Sequence, residues 1–286
     1  MLTAAAKSNG PTLTQVIPPT KRGNYVTAVA SLGDDVFVLR LHSHRIEVYM
    51  YDATSFTLQR HIVVPGLHCP LGLAACAYHK CLYVSDSAYH SIHRAELSDG
   101  QAVKKWSVAA RGPRGLSVNE AHNVVVVCHE ACKILEYTTH GELVREISLQ
   151  ARVADPWHAV QLSSDHYVVS EKTSPGVVSV VGVDGQVVCQ YPPSQTADVG
   201  KISAPMSLAV AKNGDILVAD SENDRLILIH SSLSYAEELI LPIDGKIRGT
   251  SGFCLDDSRD RLYIGENSGK YGVLVFGNLF DFTTKW

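Results

Sequence analysis

The sequence predicts an all-β fold, a six-bladed β-propeller of four-stranded antiparallel blades, and three observations carry that prediction. One pattern recurs six times along the 286 residues. Its period lies in the forties: Pro70, Pro113 and Pro156, which open three of the copies, stand 43 residues apart. Within each copy, short apolar and β-branched runs alternate with clusters of Gly, Asp, Asn and Ser, which is the pattern of strands and tight turns rather than of helices. A period of this length made of short strands corresponds to one blade per repeat.

The copies place the blades in order over residues 25–69, 70–112, 113–155, 156–204, 205–250 and 251–282, in one domain spanning the chain. The first reads YVTAVASLGDDVFVLRLHSHRIEVY from Tyr25, and the second PLGLAACAYHKCLYVSDSAYHSIHRAEL from Pro70. The fifth, PMSLAVAKNGDILVADSENDRLILI from Pro205, predicts strands over 207–210, 216–219, 226–229 and 238–241, here called a, b, c and d. Asn213-Gly214, Asp99-Gly100 and Asp184-Gly185 supply the positive φ values of tight hairpins. The step from Pro156 to Pro205 is 49 residues, which places an insertion near 190–201. The sixth copy has only three strand-like runs, and the alternating segment 13–17 has no partner of its own. Ring closure resolves both: the N-terminal strand completes the last blade and removes the free edges.

Composition narrows the function classes. A formal net charge of −4 does not mark a nucleic-acid protein on average, though an average hides an uneven surface. No apolar run approaches the ~20 residues that span a bilayer, and the first residues lack the apolar stretch of a signal peptide. Seven cysteines make no even disulfide framework, and no Cys-x-x-Cys pair suggests zinc. Cys76, Cys128, Cys189 and Cys254 fall in or beside strands and read as small apolar residues. Cys76 and Cys81 flank one hairpin turn and could pair in an oxidising compartment; reduced thiols in a cytoplasmic, monomeric protein are the expectation.

The pattern Pro-x-Gly-Leu-Ala … Leu-Tyr-Val-x-Asp … Arg-Ile-x-Val resembles the NHL repeat over roughly residues 13–282. It stands as PLGLAAC, LYVSD and SIHRA in one copy and as PMSLAV, ILVAD and RLILI in another. The Asp after strand b is kept at Asp86 and Asp220; Arg40, Cys128, Glu171 and Glu266 occupy its place elsewhere. The basic residue before strand c is kept as Arg45, Lys133 and Arg225. The resemblance implies a recognition domain for RNA or protein, of the kind found at the C-terminus of tripartite-motif ubiquitin ligases. It assigns Asp86, Asp220, Arg45 and Arg225 to tying turns together. The chain carries no RING, so ubiquitin transfer is not its own activity.

Antiparallel pairing divides the connections between two faces. The d–a and b–c connections share one, and the a–b and c–d connections share the other. The d–a connections carry Lys21, Arg22, Arg111, Arg114, Arg152, Lys201, Lys246 and Arg248 against Asp155, Asp198 and Asp244, while the b–c connections are balanced. The other face is acidic, with Asp34, Asp52, Glu120, Glu142, Asp165 and Asp184 among its residues. Tyr25, His68, Tyr89, His90, Trp157 and His158 lie among the basic loops. Cations interleaved with aromatics suit single-stranded RNA, and the same face suits an acidic peptide or protein. The candidate ligand-binding residues are therefore Lys21, Arg22, Tyr25, Arg111, Arg114, Arg152, Trp157, His158, Lys201, Lys246 and Arg248, with Tyr25 and Trp157 as stacking rings.

The alternative is a metal-dependent lyase or hydrolase in the central tunnel. The inner strands open with Val26-Thr27, Leu71-Gly72, Arg114-Gly115, Trp157-His158, Met206-Ser207 and Ser251-Gly252. None of these is a carboxylate or Asn for a hard cation, and His158 is the single well-placed imidazole. The expectation is a non-catalytic module without catalytic residues, metal or cofactor.

Overall fold

The computed structural model describes residues 10–19, 25–98, 102–192, 201–243, 246–250, 252–267 and 272–279. Over these residues the chain forms six four-stranded antiparallel sheets. Blade 1 holds β2 (Val26–Leu32), β3 (Asp35–Arg40), β4 (Arg45–Tyr51) and β5 (Phe56–Val63). Blade 2 holds β6 (Pro70–Cys76), β7 (Cys81–Asp86), β8 (Ser91–Glu96) and β9 (Val103–Ser107). Blade 3 holds β10 (Pro113–Val118), β11 (Val124–Cys128), β12 (Lys133–Tyr137) and β13 (Leu143–Ser148). Blade 4 holds β14 (Pro156–Ser163), β15 (His166–Glu171), β16 (Val177–Gly182) and β17 (Val187–Tyr191). Blade 5 holds β18 (Pro205–Val210), β19 (Ile216–Asp220), β20 (Arg225–Ile229) and β21 (Ala236–Glu238).

The last blade closes the ring as the sequence predicts. Its own strands are β22 (Phe253–Asp256), β23 (Arg261–Gly265) and β24 (Val273–Gly277), and β1 (Thr12–Ile17) pairs with β24 as the fourth. Thr12 stands opposite Gly277 and Ile17 opposite Val273. Among the described residues, no helix is long and apolar enough to cross a membrane.

Burial follows position in the blade. The second strand of each blade is buried almost throughout, as in the apolar run Val124–Cys128 of β11. The outermost strands are largely exposed: β13 buries Ile147 and exposes Leu143, Val144 and Glu146. The core is a cycle of inter-blade clusters. Leu39, Ile46, Ile62, Leu82 and Val84 join blades 1 and 2. Ile17, Val26, Val38, Tyr263, Val273 and Val275 join the last blade to the first. The closing strand therefore contributes its buried Ile17 to a seam as well as its hydrogen bonds to β24.

Two local expectations are corrected. The fourth strand of blade 5 covers Ala236–Glu238 instead of 238–241. Leu239, Leu241 and Ile243 pack inward on the seam between blades 5 and 6, so an apolar run that reads as a strand instead peels towards the core. Pro242 also has no donor to extend the ladder. Cys189 is exposed on the outermost strand β17, not buried as an apolar residue. The expected insertion falls largely on residues 193–200, outside the described residues.

Candidate functional site

The residues that end strand b organise the basic face. Asp86 accepts hydrogen bonds from the amides of His68 (2.9 Å), Cys69 (3.1 Å) and Ala88 (3.1 Å). Asp220 does the same for the Ser203 amide (2.7 Å) and takes Arg225 Nε at 2.7 Å. Glu171, in the matching place of blade 4, accepts from the Ala154 amide and Ser179 Oγ, and burial raises its pKa against those bonds. Each of these carboxylates fastens a d–a connection to the end of strand b, which brings the d–a and b–c connections together on one face. Asp86, Asp220 and Arg225 thus hold turns, as the resemblance implies; Arg45 is exposed.

This arrangement changes the charge of the face. Asp86, Glu171, Asp220 and Glu266 are buried, their acceptors directed into the protein. Arg40, in the matching place of blade 1, is also buried; its Nε meets Glu47 at 2.9 Å in the core, so it does not belong to the face. At the surface remain Arg111, Arg152, Lys201, Lys246 and Arg248, all exposed. Arg111 lies 3.9 Å from Glu130. Lys21 and Arg22 lie outside the described residues.

At the mouth of the tunnel, Trp157 carries two cations. The Arg114 guanidinium sits 4.2 Å from its ring centroid and Lys172 Nζ 4.6 Å from it. Asp155 holds Arg114 at 3.2 Å and His129 Nδ1 at 3.0 Å. Burial lowers the Arg114 pKa, with Asp155 and Glu130 opposing. Trp157 is thus first a platform that positions two positive charges. A second ring cluster lies on blade 2, where His68 meets Tyr89 edge-on at 4.7 Å and Lys105 Nζ lies 5.0 Å from the Tyr89 ring. Tyr25 stands just before β2 and is 47% exposed.

His158 has a different task. Its Nδ1 accepts from the Leu208 amide at 3.0 Å, which leaves the proton on Nε2, donated to the Leu116 carbonyl at 3.0 Å. The ring therefore clamps the inner strands of three consecutive blades. Burial pulls its pKa below the usual imidazole range and keeps it neutral. Both ring nitrogens are engaged within the protein, so His158 separates from the other candidate ligand contacts. Gly115 is required beside it: a Cβ there would lie 2.5 Å from His158 Cδ2 and 2.7 Å from the Trp157 carbonyl.

The tunnel encloses about 480 Å³ between the inner strands. Carboxylates do line it, at the end opposite Trp157: Asp256 and Asp257, from the a–b connection of the last blade. Inspection of strand starts alone overlooks them. Asp256 is occupied by Ser258 Oγ at 2.6 Å, the Ser258 and Arg259 amides at 3.2 Å, and Ser31 Oγ at 3.3 Å. Among the described residues, no three His, Cys, Asp or Glu side chains gather as a metal site.

The contact of Lys172 with Trp157 was not read from the sequence. The signal was present. Pro156 pairs with Glu171, and the antiparallel register sets Lys172 opposite Asp155, next but one to Trp157 along the chain. Arg114 and Trp157 are one 43-residue period apart and therefore occupy equivalent places in adjacent blades. Lys105 and His129 carried no such signal, because only the packed turns bring them to their partners.

No protein-family model matches the chain, and no curated relative does, so the NHL resemblance rests on the repeats themselves. Solved structures do superpose. The WD40 propeller domain of Doa1 gives a TM-score of 0.64 at 12% identity, covering 94% of this chain and 97% of that one. Virginiamycin B lyase from Staphylococcus aureus gives 0.63 at 13%, covering 90% and 82%. Hydrazine synthase of Kuenenia stuttgartiensis gives 0.63 at 13%, covering 90% and 96%. Likenesses at such identities establish architecture alone: this chain is a six-bladed β-propeller.

Proposed function

We propose that this propeller is a non-catalytic recognition module that binds an anionic macromolecule on the face of its d–a and b–c connections. The observation that carries the reading is the Arg114–Trp157–Lys172 cluster at the tunnel mouth, on the same face as exposed Arg111, Arg152, Lys201, Lys246 and Arg248. Such a surface attracts phosphates or carboxylates and offers rings for stacking. Single-stranded RNA is the first partner, and an acidic protein segment is its competitor for the same residues. If the NHL resemblance extends to parentage, this domain selects the RNA or substrate for a tripartite-motif ligase. The test is fluorescence anisotropy with a labelled random-sequence RNA and a labelled poly-glutamate peptide, each with wild type and with Arg111, Arg152 and Arg248 reversed to Glu. Tight, salt-sensitive RNA binding that the reversal abolishes supports the reading. Binding that the reversal leaves intact sinks it, and preference for the peptide assigns the face to a protein partner.

A tunnel enzyme is the second reading, favoured by the likeness to virginiamycin B lyase and hydrazine synthase. The clamped His158 opposes it, because neither nitrogen is left for a metal or a proton transfer. One firmly bound zinc or calcium per chain, retained through dialysis, would favour the enzyme.

A further inference from the structure

We propose that Cys76 and Cys81 are a redox-active pair, a modification site at which hydrogen peroxide closes a cross-strand disulfide in blade 2. The two residues are direct partners in the β6–β7 ladder, on either side of the turn 77–80. Opposed residues of an antiparallel pair have Cα atoms ~4.5 or ~5.5 Å apart. Both spacings lie within the ~4.4–6.8 Å that a disulfide spans. The side chains point the same way, into the seam between blades 2 and 3, and both are buried. Both are free thiols in this structure.

A second observation concerns Arg94, on β8 of the same blade. Its guanidinium is buried and pairs with Glu96 through one terminal nitrogen, yet its Nε has no acceptor. A buried donor without a partner is costly. Arg94 lies against Cys81, and its charge favours the Cys81 thiolate, as does Tyr83. Ionisation of Cys81 would supply the acceptor that Arg94 lacks. Burial acts more strongly in the other direction and pushes the Cys81 thiol up, which keeps the pair protonated at rest.

The chemistry balances in two steps. One thiolate attacks a peroxide oxygen, the O–O bond breaks, and a sulfenic acid and water result. The second thiol attacks the sulfenic sulfur, the S–S bond forms, the S–O bond breaks, and a second water leaves. Two thiols lose two electrons and two protons, and one peroxide becomes two waters. The bond staples the turn that carries Tyr78 and His79. Tyr78 stacks on His122 of the next blade at 4.3 Å and 6°, so the staple fixes the seam on the acidic face.

Trypsin offers a direct test, because it cleaves after Lys80, between the two cysteines. The folded chain is treated with hydrogen peroxide, alkylated and digested. The expected result is peptide 61–80 joined to peptide 81–94 with the loss of two hydrogens. The link survives Cys69→Ser and is lost in Cys76→Ser. Oxidation also raises the thermal midpoint by several degrees in wild type and in Cys69→Ser. The proposal is overturned if Cys76 and Cys81 are both recovered alkylated at a dose that oxidises exposed Cys189, or if the two peptides join equally in Cys76→Ser. The wild-type digest decides even if Cys76→Ser fails to fold.

Discussion

The two faces of the disc both bury carboxylates that tie turns and differ in the charges they leave exposed. On the d–a and b–c face Asp86, Glu171, Asp220 and Glu266 are turned inward while Glu130 and Glu222 stay exposed, and the cations Arg111, Arg152, Lys246 and Arg248 lie at the surface. On the a–b and c–d face Asp215 and Asp256 are buried too, Lys80 and Lys212 are exposed, and the arginines are engaged. Arg259 lies 3.2 Å from Asp34 and 3.7 Å from Asp256, and Arg261 lies 4.5 Å from the Tyr51 ring. Asp52, Glu120, Asp165 and Asp184 stay exposed there. Hydrogen bonds from Thr54 and Ser55 hold the Asp52 pKa below the usual carboxylate range and keep it ionised. The contrast teaches that a face acquires its charge from which ionic groups the backbone needs as acceptors, beyond the count of residues in its loops.

The most severe way to break this contrast is to open the ring. Deleting residues 1–19 removes β1 with Ile17 and exposes the β24 edge. The protein should then aggregate or unfold at much lower denaturant, and an unchanged midpoint would mean that the ring closes without β1. Next comes the inward turn of the carboxylates. Asp220→Ala leaves the Ser203 amide and Arg225 Nε without their acceptor, while Arg225 keeps Glu238 and the Lys201 carbonyl, and urea unfolding should show a loss of about 3 kcal/mol. Asp165→Ala, exposed on the other face, should stay within about 0.5 kcal/mol.

The His158 clamp gives a pH signature. Its folded pKa is depressed, so its contribution is complete above the unfolded value of ~6.5 and is lost as pH falls below it. There the unfolded chain takes up a proton that the folded ring refuses. His93, buried and also depressed, acts in the same sense. The wild-type slope between pH 6.5 and 5 should exceed that of His158→Gln by up to about 1.4 kcal/mol per pH unit; equal slopes would mean that His158 protonates in place. The smallest effect belongs to the platform. Trp157→Ala should weaken RNA binding by about 1 kcal/mol, because Arg114 and Lys172 lose the ring that positions them. Isothermal titration against the wild type measures it, and no change would remove Trp157 from the site.

Most of the architecture was legible in the sequence, because each repeat states the same alternation and the odd strand 13–17 has one place to go. The short β21 was not, since Leu239 and Leu241 look like strand residues and are held by the neighbouring seam. The site was legible by face and not by contact. Antiparallel pairing assigned Arg111, Arg152, Lys246 and Arg248 to one side. The burial of Arg40 and the two hydrogen bonds of His158 depend on side-chain placement between blades, which no spacing along the chain records. Trp157 and His158 are neighbours in sequence, yet one positions surface cations and the other clamps the tunnel wall.

The central claim is that the cations left at one face are a binding surface. The most direct measurement is the dependence of RNA affinity on salt for wild type, for Arg111, Arg152 and Arg248 reversed to Glu, and for Lys80→Glu on the opposite face. A steep fall of log K with log salt is expected for wild type and for Lys80→Glu, since each neutralised phosphate releases counterions. No measurable binding is expected for the triple reversal, with its melting temperature nearly unchanged. Equal salt slopes and affinities for all three proteins would contradict the claim.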